Sequence, residues 1–69
     1  MRHVLIYQDE DGAWCAEVPS LPGCFSDGTT YEEAIENIKD AMQLFIESLE
    51  ARGLPIPEDN YHHLVAVQL

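Results

Sequence analysis

Apolar and polar residues alternate with a period of two in several stretches of this chain and with a period near 3.6 in one. Residues Arg2–Gln8 (RHVLIYQ) place Val4 and Ile6 on one face of a strand and His3, Leu5 and Tyr7 on the other. Both faces are largely apolar, which predicts a strand covered on both sides. Asp9, Glu10, Asp11 and Gly12 follow, and Asp11-Gly12 can supply the positive φ of a hairpin connection. The next strand is predicted over Ala13–Val18, with Trp14, Ala16 and Val18 on one face and Ala13, Cys15 and Glu17 on the other. Pro19-Ser20-Leu21-Pro22-Gly23 breaks it, because proline donates nothing to a ladder and Pro22-Gly23 favours a tight turn. Cys24–Asp27 then reads as a short third strand that Gly28 ends.

The helical period begins after Thr30. A threonine there is a natural N-cap, Glu33 three residues on completes a capping box, and Glu32 and Glu33 favour the positive end of the helix dipole. Ile35, Ile38, Met42, Phe45 and Leu49 recur at spacings of three and four, with Ala34 and Ala41 beside them, forming one apolar stripe. Leu44 and Ile46 widen it, as for a helix that touches more than one surface. Arg52 falls in the last turn, and Gly53, Leu54 and Pro55 give the pattern of a Schellman-type stop. After a proline-stiffened connection over residues 55–60, Tyr61–Leu69 reads as a final strand. The predicted order is β-β-β-α-β, an α+β layer with one helix packed on a small mixed sheet. If the last strand lies parallel to the first, the sheet order is 3-2-1-4. No repeat or second domain is visible, and residues 1–69 read as a single domain.

Size changes the picture. A core built from 69 residues supplies only about 3–5 kcal/mol, so such a scaffold often leans on a staple or a partner. Two cysteines, Cys15 and Cys24, offer at most one disulfide, and no Cys/His cluster has zinc-ligand spacing. No signal sequence opens the chain and no apolar run approaches the roughly 18–20 residues of a membrane span. The expected setting is the cytoplasm, with reduced thiols and no contact with a membrane. Greasy residues on both faces of the first and last strands exceed what one helix can cover, which predicts a homodimer or tetramer.

Charge narrows the partners. Thirteen acids against three bases give a formal charge of −10. Phosphate backbones repel such a surface, so direct binding of nucleic acid is not expected. A basic protein partner is attracted, and complementary charge chiefly raises the rate of association. The plainer alternative, that the acids only keep a small protein soluble, stays open.

Pro19-Ser20-Leu21-Pro22-Gly23-Cys24-Phe25-Ser26-Asp27-Gly28-Thr29-Thr30, running into Glu33-Ala34 and Ala41, resembles the HicB antitoxin pattern. In that pattern a strand and a proline-glycine turn lead through Ser-x-Gly-x-Thr into a capped helix. The resemblance extends over nearly the whole chain. It implies a truncated, partial RNase H-like fold and a binding role: silencing HicA, a small basic mRNA-cleaving toxin, by occluding it. Longer members continue into a helix-turn-helix or ribbon-helix-helix domain; this chain ends at Leu69, so operon repression is not expected of it. An orphan domain of the same fold with another protein partner or a regulatory role is the alternative.

An RNase H-like fold raises the question of a metal-dependent nuclease, which clamps two cations roughly 3.5–4 Å apart between converging carboxylates. The resemblance implies acids in the first strand, on the helix and after the fourth strand. Here neither Arg2–Gln8 nor Tyr61–Leu69 carries one, so no catalytic residue, metal or cofactor is expected. His62 and His63 are adjacent on a strand and point apart, so with His3 they make no metal site. Cys24 has no basic neighbour to lower its pKa and reads as a small buried thiol. The candidate partner-binding residues are Asp9, Glu10 and Asp11 at the hairpin, Trp14 beside them, and Glu32, Glu36 and Asp40 on the polar side of the helix. Tryptophan is enriched at binding hot spots. Each has a structural alternative: a solvated hairpin tip, a core ring under the helix, and a wet helix face that also carries Gln43, Glu47 and Glu50.

Overall fold

The computed structural model describes residues 2–59 and residue 67. Three short strands, β1 (Leu5–Gln8), β2 (Trp14–Glu17) and β3 (Phe25–Gly28), form an antiparallel sheet in the order β1-β2-β3, and α1 (Tyr31–Ala51) packs on one face. The α+β class and the first three places of the expected sheet order hold. The expected fourth strand, and with it the mixed character of the sheet, lies outside the described residues. Strand β1 starts at Leu5 rather than Arg2: the Arg2 guanidinium instead donates to Ser20 Oγ, and the His3 backbone N–H to Asp59 Oδ2.

The β1–β2 connection is organised by one carboxylate. Asp9 Oδ1 accepts from the backbone N–H of Asp11 and of Ala13, and Gly12 closes the turn at φ 86°. Opposite residues share a face, so the register divides the sheet cleanly. Ile6, Ala16 and Ser26 form one row and Gln8, Trp14 and Gly28 another on the side of α1, while Leu5, Glu17, Phe25 and Tyr7, Cys15, Asp27 form two rows on the far side.

The core lies between sheet and helix. Ala16, Val18, Leu21, Cys24 and Ile38 are buried together, with Val4, Ile6, Ala41, Met42, Phe45 and Ile46 packed against them. Leu21, in the proline-rich connection, is completely buried (0 % exposed). Two local turns drive it inward: Leu21 N–H donates to Val18 C=O and Cys24 N–H to Leu21 C=O, both at 3.0 Å, while Val18 N–H reaches Cys24 C=O. The segment that breaks the strands thus also plugs the core. Cys24 and Cys15 are both free thiols.

Local chemistry fixes both ends of α1. Thr30 Oγ1 accepts from Glu33 N–H at 3.1 Å, and the Glu33 carboxylate reaches back to the N–H and hydroxyl of Thr29, one residue earlier than the usual capping box. At the far end Gly53 adopts φ 68°, Leu54 N–H donates to Leu49 C=O and Gly53 N–H to Glu50 C=O, which is the Schellman pair. Arg52 is the C-cap residue itself, so the last turn carries no base. The start of the helix lies close to β3 at Gly28, where an added Cβ would lie 2.6 Å from Ala34 N. Nearby, Asn37 Nδ2 donates to the Asp27 carbonyl at 2.7 Å and ties the helix to β3.

Candidate interaction surfaces

The sequence expectation that β1 is covered on both sides fails for the far side of the sheet. Leu5 is 47 % exposed, Tyr7 46 % and Phe25 63 %. Helix α1 is amphipathic with one buried stripe, and it occupies the other face. Between these apolar side chains stand Glu17, directly opposite both Leu5 and Phe25, and Asp27, directly opposite Cys15. Burial pushes the Cys15 thiol up from its ordinary pKa, and the charges of Asp9 and Asp27 add to the effect. None of the three strong bases answers them: Arg2 is bonded to Ser20, Lys39 lies on α1, and Arg52 caps its end.

The residues expected to bind a partner fall into three places. Asp9, Glu10 and Asp11 are exposed at the hairpin tip, with one oxygen of Asp9 committed to the turn. Trp14 faces the helix side and is half-buried, its ring in T-shaped contact with Tyr31 at a centroid distance of 5.5 Å. That contact is with the first residue of α1. Glu32, Glu36 and Asp40 are exposed along α1. Asp40 continues into a shallow concavity with Gln43, Leu44 and Glu47, and Leu44 is 67 % exposed there. Leu44 therefore points to water, whereas Ile46 joins the core margin.

Two acidic surfaces result, one on the helix and one on the bare side of the sheet. The sequence reading found the first and not the second. Its signal was present in the two apolar faces of Arg2–Gln8, but alternation does not say which face a single helix will cover.

His3 meets Asp59 through both its backbone N–H and its ring Nδ1. That side-chain hydrogen bond is the main reason the Asp59 carboxyl sits below its ordinary pKa of 3.8, with burial opposing it. The contact brings the segment after α1 back to the start of β1. Among the described residues, no group of three His, Cys, Asp or Glu side chains converges on a metal-sized site. No helix among them is long and apolar enough to cross a membrane.

Comparison with known proteins places this architecture. A UPF0150 protein of Thermoplasma acidophilum is 51 % identical over 57 residues, which is 83 % of each chain. A UPF0150 protein of Synechocystis is 47 % identical over 57 residues, covering 83 % of this chain and 72 % of its own. Among solved structures, one of a HicA3 and HicB3 toxin-antitoxin complex contains a chain that superposes with a TM-score of 0.67 at 29 % identity. The match covers 83 % of the present chain and 66 % of that one. The model of the HicB-like antitoxin of bacterial toxin-antitoxin systems matches residues 3–67. With its capped helix, its three-stranded sheet and a match over nearly its full length, the chain belongs to the HicB-like antitoxin family, a family of antitoxins and not of enzymes.

Proposed function

We propose that this protein is the antitoxin of a toxin-antitoxin pair, which binds a small basic HicA-type mRNA-cleaving toxin in the cytoplasm and silences it by occlusion. The observation that carries the reading is the likeness to a chain solved within a toxin-antitoxin complex, joined to a formal charge of −10. The mechanism needs no chemistry from the antitoxin. Buried apolar contacts hold the complex, and the acidic field speeds encounter with a basic partner. Asp9, Glu10, Asp11, Glu32, Glu36 and Asp40 contribute to that field, and the same field discourages direct contact with RNA or DNA. Self-association into a homodimer or tetramer belongs to the same proposal, because several large apolar side chains stand in water in one copy.

The test is co-expression with a small basic protein of HicA type encoded beside this chain, and the absence of any such neighbour would itself count against the proposal. A stable complex on size exclusion, together with restored growth of cells that make the toxin, is the expected result. Growth arrest that persists although both proteins accumulate in soluble form would overturn the proposal. Sedimentation of the free chain at micromolar concentration settles the assembly separately, and a monomer there would refute self-association.

A further inference from the structure

We infer that the basic partner docks on the bare face of the sheet, with Leu5, Tyr7 and Phe25 as its apolar anchors and Glu17 and Asp27 as its ionic contacts. The acidic side of α1 then serves to guide the partner in. This deepens the functional reading above and rests on it.

Two surfaces of the molecule carry negative charge, one on α1 and one on the far side of the sheet. Binding free energy comes mainly from apolar and aromatic groups taken out of water, whereas exposed charge pairs contribute little to affinity and act on the rate of encounter. The side of α1 bearing Glu32, Glu36, Asp40 and Glu47 has one large exposed apolar residue, Leu44, and carries its own base in Lys39. The far face of the sheet has three large apolar side chains at about half exposure or more, two of them aromatic. They are held on the two outer strands of a hydrogen-bonded sheet, with β2 between them, so little conformational freedom is lost when they are covered. Only the sheet face combines anchors with charge.

Its charge pattern also selects the occupant. Glu17 stands between Leu5 and Phe25 in one cross-strand row, and Asp27 ends the row that begins at Tyr7. No Lys or Arg of this chain meets either carboxylate, because all three are placed elsewhere. A second copy of the chain laid on this face would bring like charges together under an apolar cover, in a molecule already at −10. A partner presenting lysine or arginine beside apolar side chains satisfies both features at once. The occupant is therefore the basic protein, and self-association is left to other surfaces.

The experiment measures association and dissociation rates between the full chain and the basic protein encoded beside it, for the wild type and a set of variants. Phe25→Ser and Tyr7→Ser should each weaken binding about thirtyfold, mostly through faster dissociation, as for an interface hot spot. Asp27→Lys should also speed dissociation. Asp40→Lys on the helix should slow association about threefold and leave dissociation unchanged. Far-UV circular dichroism and thermal melts accompany each variant; the anchors are exposed, so the fold is expected to persist, and Leu5→Ser is the substitute for any that does not fold. Wild-type binding by both anchor variants, with loss in Asp40→Lys, would overturn the inference while leaving the antitoxin reading intact. So would a dimer of the free chain that Phe25→Ser dissolves while binding of the basic protein is unaffected. Failure of the wild type to form any complex would overturn both.

Discussion

On the side of α1 the sheet presents Ile6, Ala16 and, just beyond β2, Val18 to a helix whose Ile38 is buried beneath it, and Leu21 fills the remaining space. On its other side Leu5, Tyr7 and Phe25 stand at least 46 % exposed, although they are as apolar as their counterparts. The two faces are separated by one residue of register. What divides them is which face α1 covers, and contacts beyond the strand pairing go with that choice: the Asn37 bond to the Asp27 carbonyl, the close approach of Gly28 to Ala34, and the inward turn at Leu21. One face is spent on holding the fold together. The other remains available for contact with a partner.

Mutations can break or sharpen this contrast. The largest effect is expected for Leu21→Ala, which empties the most enclosed site in the core and should cost about 3 kcal/mol, measured by urea denaturation. In a domain of this size that is most of the stability. Gly28→Ala should follow at about 2–3 kcal/mol, because the new methyl meets the backbone of Ala34, which has no freedom to yield without moving the helix. A thermal melt unchanged from wild type would mean that helix and strand do not approach as described. Thr30→Ala removes the N-cap acceptor and should cost about 1 kcal/mol, while Thr30→Asp should restore it. The smallest effect is expected on the bare face. Phe25→Ser should change stability by less than about 0.5 kcal/mol, although it deletes a larger side chain than Leu21→Ala does. A loss comparable to that of Leu21→Ala would show that Phe25 is covered in the free protein and would erase the distinction between the faces.

Helix α1 was legible from sequence nearly to the residue, because its signals are local. Thr30 and Glu33 act within one turn, and Gly53 and Leu54 act within another. The hairpin at Asp11-Gly12 was legible for the same reason. Leu21 was not, since a leucine between prolines and a glycine has no periodicity, and its burial depends on three backbone hydrogen bonds among Val18, Leu21 and Cys24. Gly28 reads as the end of the third strand and is the last residue of β3. The sequence does not show, however, that a side chain there would run into Glu33 and Ala34 at the start of the helix that follows. As for the candidate site, carboxylates on a helix are conspicuous in a sequence. A patch such as Leu5, Tyr7 and Phe25 is assembled from two strands and becomes visible only when the cover is known. Trp14, open in the sequence to either an interface or a core role, lies on the side of α1 with its ring in T-shaped contact with Tyr31.

Among the described residues strand β3 has one strand neighbour, so its far edge lies open beside an apolar patch there. That combination normally invites fibre growth, because an open edge can template another chain. Here the edge is four residues long, its exposed turn-ward end carries Asp27, and Gly28 lies against the helix. So short and charged a ladder gives an incoming strand little to zip onto. A molecule that carries greasy side chains uncovered on one face is thereby kept from solidifying with its own kind.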